Sequence, residues 1–379
     1  MMEILETLRD LVRINSVNAF YLDGPGESAC ANYVADYWKS CGIETWSSEV
    51  LPGRSNVIAR LPGKSATQRL ILEAHMDTVS TAGMSIDPFD PRIEGGRIYG
   101  RGACDTKAGL AGMMSAVARA KKEQLIPPCE VWMAAVIDEE YSCQGVLHLC
   151  RELRADAAVV AEPTEMKVVV ASKGVLRWRI LAHGKSAHSS KPHLGIDAIY
   201  PMAKLLIELE LEHRKLSATS HPLLGPATAN VGLIRGGVQV NFVPDQCAIE
   251  IDRRLLPSES VHDVLKVYQA CIDRMRLEFP LVVFEMEQPM LIDYGLETPI
   301  DRPIVQTAIQ VLERLGLDSA PVGVPFGSDA SKLHLAGIPS ILFGPGSIDQ
   351  AHASVEFVSV EQVQQAAEFY YSILSEFGK

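Results

Sequence analysis

Histidine and carboxylate side chains that could hold metal ions stand next to several apolar, strand-like runs of this chain. They are His75, Asp105, Glu139, Glu140, Glu162 and His352. All but the aspartate follow a predicted buried strand, and the aspartate precedes a predicted helix. Because the carboxyl ends of parallel strands meet at one edge of an open α/β sheet, where ligands bind, we expect these side chains to converge there. A divalent cation would offset the cost of burying their charges.

Each residue taken alone also has an ordinary structural interpretation. A histidine at a strand end, such as His75, is more often simply hydrogen-bonded than bound to a metal. The pair Glu139-Glu140 is compatible with the solvated start of a helix, and Glu162 with an ordinary strand exit. Asp105 could serve as a helix N-cap. Their convergence at one edge of one sheet favours a metal site over coincidence.

Two histidines and three carboxylates match two hard or borderline ions such as Zn²⁺ better than a thiolate-rich structural site. In two-metal hydrolases the ions lie about 3.5–4 Å apart and share a carboxylate and a hydroxide. A further carboxylate is then needed to accept the proton of the attacking water. Of the adjacent pair, Glu140 can bind metal while Glu139 faces the water. We interpret Cys104 as a packing residue rather than a ligand.

The elements that must position these residues alternate between helix and strand. Helical spacing of apolar residues is predicted at 3–14, 27–40, 108–122, up to about 153, 302–315 and 360–376. Short strands are predicted at 56–61, 69–73, 131–137, 157–161 and 340–343. Continuous apolar runs among them are typical of strands buried on both faces. This alternation predicts an α/β fold with a largely parallel sheet that helices cover on both faces.

A segment of different texture interrupts this pattern. Residues 175–182 and 247–255 alternate apolar and polar side chains, as in a sheet with one solvated face. A helix near 197–211 and a turn at 236–237 lie between them, and a second helix at about 261–277 follows. The segment therefore has the order strand, helix, strand, strand, helix, strand, which is ferredoxin-like. We therefore predict a catalytic metal-binding domain formed by 1–174 and 289–379, and an inserted α+β domain at 175–288.

Composition argues against several other classes of protein. The net charge of −12 and the lack of basic clusters argue against a nucleic-acid binder and against binding to an anionic membrane. The chain has no run of about 20 apolar residues, which a membrane-spanning helix needs, and its acidic start does not resemble a signal peptide. The eight cysteines show neither a CxxC pair nor zinc-finger spacing. We expect reduced, mostly buried thiols in a cytoplasmic protein.

Several short motifs together resemble one family of metallohydrolases. In chain order they are HMDTV, GRGACDTKAG, DEE, AEPT, GKSAHSSKPHLGIDAI, NFVPD with IDRRLLP, and GPGSIDQAH. They run over most of the chain and are similar to those of the acetylornithine deacetylase and succinyl-diaminopimelate desuccinylase family, in that family's order. The family also contains the aminoacylases and glutamate carboxypeptidase. The resemblance implies a zinc-exopeptidase-like catalytic domain with an inserted lid and dimerisation domain.

The resemblance also implies a pair of divalent metal ions, zinc in the first instance, with cobalt or manganese as alternatives. One zinc is expected on His75, Asp105 and Glu162. The other is expected on Glu140 and His352, with Asp105 bridging the two ions. The peptide bond after Asp105 is usually cis in the family.

Further roles follow from the same resemblance. Glu139 falls at the position of the general base, and Asp77 at that of the acidic residue that orients the first histidine ligand. His188 matches a histidine that stabilises the oxyanion and comes from the partner subunit of a homodimer. Without its motif, this residue would be interpreted as a surface loop histidine.

Two residues of the inserted domain match the lid residues that hold the α-carboxylate of the substrate. They are Asn241 and Arg254, and a guanidinium fork suits that role. Arg253 is an alternative by one residue, but strand alternation places Arg254 on the polar face. The stretch FGSDAS at 326–331 corresponds to a region near the family's substrate pocket, and we assign it no role.

The resemblance implies a cytoplasmic, homodimeric metal-dependent amidohydrolase that removes an acyl group from an N-acyl amino acid, as in acetylornithine deacetylase. A metal-bridging water would attack the amide with Glu139 as its base. A dipeptidase, carboxypeptidase or succinyl-diaminopimelate desuccinylase would use the same residues and stays an alternative. A non-catalytic binding protein with a decayed site is disfavoured, because every ligand and the base are present.

Overall fold

A computed structural model of the protein describes residues 2–379, and the side chains of all of these except Met2 and Ala66. The helices are α1 (Met2–Arg13), α2 (Ser28–Ser40), α3 (Lys107–Lys122), α4 (Gln144–Glu152), α5 (Ile199–Lys215), α6 (Val261–Glu278), α7 (Pro303–Leu315), α8 (Asp329–Leu335) and α9 (Val360–Glu376). The strands are β1 (Glu44–Leu51), β2 (Arg54–Leu61), β3 (Ser65–His75), β4 (Ile93–Glu94), β5 (Arg97–Tyr99), β6 (Cys129–Val136), β7 (Ala157–Val160), β8 (Val169–Ser172), β9 (Gly174–His183), β10 (Ser220–His221), β11 (Gly225–Pro226), β12 (Thr228–Gly236), β13 (Gln246–Leu255), β14 (Val283–Met286), β15 (Leu291–Asp293), β16 (Leu296–Glu297), β17 (Val322–Val324), β18 (Ser340–Leu342) and β19 (Phe357–Ser359).

The chain divides into two compact units. The first comprises the residues up to Val170 together with Glu297–Val322 and Ser328–Lys379, and the second comprises Ala171–Leu296 and Gly323–Gly327. Each unit has its own apolar core. Within residues 2–379, no helix is both long enough and apolar enough to span a bilayer.

The main sheet of the first unit has parallel strands at its centre. Its order runs β1-β2-β6-β3-β7-β18-β8. Strand β3 pairs in parallel with β6 and β7, and β18 pairs in parallel with β7. These central strands are buried, as expected when helices cover both faces of a sheet. The predicted α/β class is confirmed, and the carboxyl ends of four neighbouring strands lie side by side.

Helix α3 packs closely on this sheet because it contains a glycine where it approaches the end of β7. A Cβ atom added to Gly109 would lie only 2.5 Å from Cβ of Ala161, the residue after β7. At the start of the same helix, Oγ1 of Thr106 donates a hydrogen bond to the Ala161 carbonyl at 3.1 Å. The loop that leads into α3 is therefore fixed next to a carboxyl end of the parallel strands.

The second unit has the predicted ferredoxin-like order. Its elements follow one another as β9, α5, β12, β13, α6 and β14, and its antiparallel sheet has the order β12-β13-β9-β14. Its core lies between this sheet and the two helices. Strand β15 also pairs with β9, so the second unit continues beyond residue 288, where the sequence analysis ended the inserted domain. The catalytic and lid roles of the two domains stay predictions.

Candidate metal centre

Four side chains surround the carboxylate of Asp105. His75 Nε2 lies 3.1 Å from Asp105 Oδ1, and His352 Nε2 lies 3.3 Å from Asp105 Oδ2. His352 Nε2 is also 3.2 Å from Glu140 Oε1. Potential ligand atoms of His75, Asp105 and Glu162 all lie within 4.8 Å of one another, as do those of Asp105, Glu140 and His352. The five predicted ligands thus form two groups that share Asp105.

The parallel strands are what bring these residues together. His75 is the last residue of β3, Glu140 follows β6, Glu162 follows β7, and His352 lies in the loop after β18. Those strands are neighbours in the sheet, so their carboxyl ends meet at one edge. The parallel pairing explains the convergence that the sequence pattern predicted.

The donor set of the two groups fits a pair of divalent cations. Two imidazoles and three carboxylates suit Zn²⁺ and similar borderline ions, whose bonds to nitrogen and oxygen are about 2.0–2.2 Å. The carboxylates are nearly inaccessible: 8% of the Asp105 side chain and 7% of the Glu140 side chain are exposed, and Glu162 is 5% exposed overall. Buried negative charges at this density need positive charge between them.

Asp77 connects the first histidine to the carboxylates after β6. Its carbonyl oxygen lies 2.9 Å from Nδ1 of His75, which leaves Nε2 facing Asp105. Its carboxylate accepts the backbone N–H of Glu139 at 3.1 Å and that of Glu140 at 3.0 Å. The side chain is fully buried. Asp77 therefore fixes both the imidazole orientation and the position of the Glu139-Glu140 pair.

A buried network supports the same turn from behind. Asp138 has a positive φ of 71° and accepts hydrogen bonds from Arg54 Nη2 at 2.9 Å and from Asn18 Nδ2 at 3.0 Å. Asn18 Nδ2 also donates to Asp77 at 2.8 Å, and Arg54 pairs with Glu27, whose side chain is fully buried. The turn that carries the glutamate pair is thus held by paired charges rather than by solvent.

Glu356 holds the loop that carries Asp105. Its Oε1 accepts the backbone N–H groups of Cys104 at 2.9 Å and Asp105 at 3.1 Å, and its Oε2 pairs with Arg101 Nη1 at 2.7 Å. The Asp105–Thr106 peptide bond is cis, as the resemblance implied. Cys104 is buried and its Sγ donates to a backbone carbonyl, which agrees with its interpretation as a packing residue.

Burial and the neighbouring charges raise the pKa values of both the glutamates and the histidine of the site. Burial raises the pKa of Glu139 to about 8 and that of Glu140 to about 6. Burial and the neighbouring Asp105 raise the pKa of Glu162 well above its usual range. Hydrogen bonds with Asp105 and Glu140 raise the pKa of His352 to about 10. Protonated histidines thus supply positive charge next to the buried carboxylates.

Comparisons with known proteins agree with this geometry. The family model of peptidase family M20/M25/M40 matches residues 71–376. The chain belongs to peptidase family M20/M25/M40. Members hydrolyse amide bonds, and this protein is accordingly a hydrolase of that type.

The proteins to which the chain is similar include both a deacetylase and peptidases. The chain is 29% identical to an acetylornithine deacetylase of Proteus mirabilis, over 98% of this chain and 96% of that one. The fold of aminopeptidase PepT from Bacillus cereus is similar, with a TM-score of 0.82 at 22% identity over 100% of this chain and 99% of that one. So is that of YXEP from Bacillus subtilis, a dinuclear metal-binding peptidase, with a TM-score of 0.74 at 16% identity over 99% and 97% of the chains.

The second unit of this M20/M25/M40 family member places the predicted lid residues at two different locations. His188 and Asn241 are exposed and lie in neighbouring loops, since Ser189 N–H donates to the Asn241 carbonyl at 2.9 Å. Arg254 lies near the far end of β13, on the polar face, with its Nε 2.8 Å from Asp252. Arg253 is 2% exposed and its guanidinium already forms an ion pair with Glu259.

Two structural alternatives from the sequence, a solvated helix start for the glutamate pair and an N-cap for Asp105, do not apply at this site. Glu140 is buried rather than solvated, and α4 begins only at Gln144. Thr106, not Asp105, occupies the N-cap position of α3. The sequence analysis missed the supporting residues Arg101 and Glu356, because a lone buried ion pair between distant segments leaves no local pattern.

A second buried acidic feature near Glu139 was also missed. Glu73 of β3 and Asp329 of α8 are almost completely inaccessible, and within the described chain no donor group is hydrogen-bonded to their carboxylate oxygens, although the two carboxyls lie within hydrogen-bonding reach of each other. Asp329 belongs to the stretch to which the sequence analysis assigned no role. Ligand atoms of Asp329, Cys143 and Glu139 lie within 4.8 Å of one another.

We predict that the metal-free protein loses stability as the pH rises from 6 to 9. The folded pKa of Glu139, about 8, exceeds its ordinary value of 4.5, and that of His352, about 10, exceeds 6.5. Both groups therefore stabilise the fold fully below their unfolded pKa values, and this contribution disappears as the pH rises through the folded values. The lowered pKa of Asp105 acts only in acid.

Thermal unfolding after dialysis against chelator measures this effect. The melting temperature should fall by several degrees between pH 6 and 9, and saturating Zn²⁺ should flatten the dependence because the ion replaces the bound protons. The E139Q variant provides a control, because it should lose the part of the slope that Glu139 contributes. A melting temperature of the metal-free protein that stays level or rises over this range would contradict the prediction.

Proposed function

We propose that this protein is a dizinc amidohydrolase that removes an acyl group from an N-acyl amino acid, in the manner of acetylornithine deacetylase. One observation carries the proposal: two potential ligand groups share Asp105, and a further half-buried carboxyl, that of Glu139, stands beside them without belonging to either. That arrangement provides two cation positions and a separate base. The similarity to an acetylornithine deacetylase over nearly the whole chain supports the substrate class.

Two divalent ions, zinc with cobalt or manganese as alternatives, would be held by five residues of the first unit. His75 and Glu162 would bind one ion, Glu140 and His352 the other, and Asp105 both. When bound, such ions polarise an amide carbonyl and lower the pKa of water. Asp77 would keep the His75 imidazole in the orientation that presents Nε2.

Glu139 is the residue that we assign to proton transfer. Burial raises its pKa above that of an ordinary glutamate, which makes its carboxylate a stronger proton acceptor. It would take the proton of the attacking water and deliver it to the departing amine nitrogen. The backbone N–H bond to Asp77 holds its main chain in place, so the carboxyl is positioned before substrate arrives.

Substrate binding would use residues of the second unit from two copies of the chain. His188 would stabilise the oxyanion, while Asn241 and Arg254 would bind the α-carboxylate. Strand β13 starts near the loops that carry His188 and Asn241. Arg254 lies eight residues further along this strand. At about 3.3 Å per residue this separation is about 26 Å. A substrate of two-residue size spans only about 7 Å, which supports an arrangement in which Arg254 and His188 reach one substrate from different copies.

The surface of the second unit supports a homodimer. Strand β12 is an edge of its sheet, with one side unpaired, and exposes Leu233 and Ile234 by 44% and 54%. The neighbouring helix α5 exposes Tyr200, Ile207 and Leu211. An exposed strand edge next to apolar side chains invites pairing with a second chain. We also propose a cytoplasmic location, where the free thiols of all eight cysteines persist.

We predict that E139Q abolishes turnover and leaves metal binding intact. The amide is isosteric but cannot accept the proton, so kcat should fall by a factor of at least about 10² to 10⁴. Metal content after gel filtration should stay at that of the wild type. The exposed Glu152, near the end of α4, gives a matched control in E152Q, which should retain full activity. Near-normal turnover by E139Q would rule out the proposed base.

We predict that N-acetyl amino acids are better substrates than dipeptides. A panel of acetylornithine, acetylcitrulline, succinyl-diaminopimelate and simple dipeptides separates the candidate activities. The proposal expects kcat/KM for one of the acetyl compounds to exceed that for any dipeptide at least about tenfold, a difference of about 1.4 kcal/mol in transition-state binding. Higher efficiency on dipeptides would favour the exopeptidase alternative, with the same metal site.

We predict that H188A and R254A complement one another. If the two residues act on one substrate from different copies, a mixed dimer has one intact site, formed by the native His188 of one chain and the native Arg254 of the other. Coexpression of two inactive variants should then restore about a quarter of the wild-type activity, because half of the dimers are mixed. Two H188A chains provide the control. Complete inactivity of the purified mixed dimer would contradict the shared site.

A further inference from the structure

A second group of potential ligands lies beside the proposed metal pair. Ligand atoms of Glu139, Cys143 and Asp329 lie within 4.8 Å of one another. Zinc bonds of about 2.0–2.2 Å to oxygen and 2.3 Å to sulfur put two tetrahedral ligands about 3.5 Å apart. The ligand atoms therefore need to approach one another by about 1.3 Å at most to hold one ion. The three residues come from the turn after β6 and from the start of α8.

The buried carboxylates of this group provide an independent sign of a missing cation. Asp329 is 1% exposed and both of its oxygens are unpartnered among residues 2–379. Glu73 of β3 is fully buried and has no donor at either oxygen among the described residues. Its carboxyl lies within hydrogen-bonding reach of Asp329. Burial of a carboxylate without donors is strongly unfavourable unless a cation or proton compensates its charge.

The charged groups around these carboxyls do not balance them. Lys332 on α8 and His75 on β3 are the positive groups that act on Glu73 and Asp329. The Lys332 ammonium also donates to the Ser328 carbonyl at 3.1 Å. His75 already faces the carboxylates of Asp105 and Asp77. One lysine faces three carboxyls, so a divalent ion would supply the positive charge that these groups lack when they ionise.

We propose that Glu139, Cys143 and Asp329 form a third, inhibitory site for a thiophilic divalent cation. A thiolate with two carboxylates suits Zn²⁺, Co²⁺ or Cd²⁺ and disfavours Mg²⁺ and Ca²⁺, which prefer oxygen ligands only. The site shares Glu139 with the hydrolytic centre, so the inhibition rests on the proposed function. An ion bound there occupies the carboxylate that must accept a proton.

Cobalt titration of the enzyme loaded with two equivalents of Co²⁺ tests the site. None of the five ligands proposed for the metal pair is a cysteine, so the first two equivalents should produce no thiolate-to-cobalt charge-transfer absorption. Further Co²⁺ should produce this absorption, and activity should fall in parallel with its growth. Equilibrium dialysis should count a third ion per chain, and Mg²⁺ at the same concentration should change neither signal.

Two variants and a control separate the third site from general damage. In C143S the thiolate absorption should vanish, while two ions still bind and the concentration of Co²⁺ that halves the activity rises at least about tenfold. D329N should likewise weaken the third ion. C41S is the control variant: Cys41 is a half-buried residue at the C-cap of α2. This variant should behave as the wild type. Unchanged melting temperatures would exclude misfolding as the cause.

Several outcomes overturn this proposal. They are binding of only two ions per chain at millimolar Co²⁺, a thiolate absorption that persists in C143S, or inhibition that is the same in C143S and wild type. Carboxyls that share protons rather than an ion would give the first of these. Failure of the proposed function is recognised separately, as absence of turnover on every panel substrate by the enzyme with two ions bound, whether or not the third absorption appears.

Discussion

Negative charge buried at one edge of a parallel sheet is the constraint on which the rest of this structure depends. Asp105, Glu140 and Glu162 would not remain ionised side by side in a protein interior without positive charge among them. The two histidines face them at 3.1–3.3 Å and have raised pKa values for that reason. Such an arrangement has a chemical use as a cation site, and its energetic cost makes an accidental origin implausible.

The surroundings of the site resist the mutual repulsion of these groups through hydrogen bonds to the main chain. Asp77 accepts two backbone N–H groups of the glutamate pair, and Glu356 accepts two from the Asp105 loop. Each of these carboxylates is itself held, by Asn18 or by Arg101. Two acidic residues, Asp77 and Glu356, therefore fix the positions of other acidic residues. They do so by accepting hydrogen bonds from backbone N–H groups, which carry no net charge. This explains why the site can be dense in carboxylates and still be ordered.

The sequence predicted the fold and the convergence of the candidate ligand residues, for a physical reason. Strands buried on both faces are continuous apolar runs, and parallel pairing places the residues after them at one edge, so the convergence of His75 and Glu162 could be inferred from local patterns. Glu356 and Asp329 could not, since their importance comes from partners far away in the chain. Strand β1 also escaped prediction, and β12 was predicted only as a member of the ferredoxin-like order without bounds, because largely solvated strands lack a continuous or strictly alternating pattern.

The length of one strand limits how the proposed substrate site can be built. Strand β13 runs between Arg254 and the loops that carry Asn241 and His188, so on the proposed assignment Arg254 comes from one copy and the neighbouring His188 and Asn241 come from the other. The exposed edge of β12, which lies next to β13, offers a surface through which two copies could pair. On this argument dimerisation is part of the active site itself, and a monomer would keep its metals and its base yet lack half of the groups that hold the substrate.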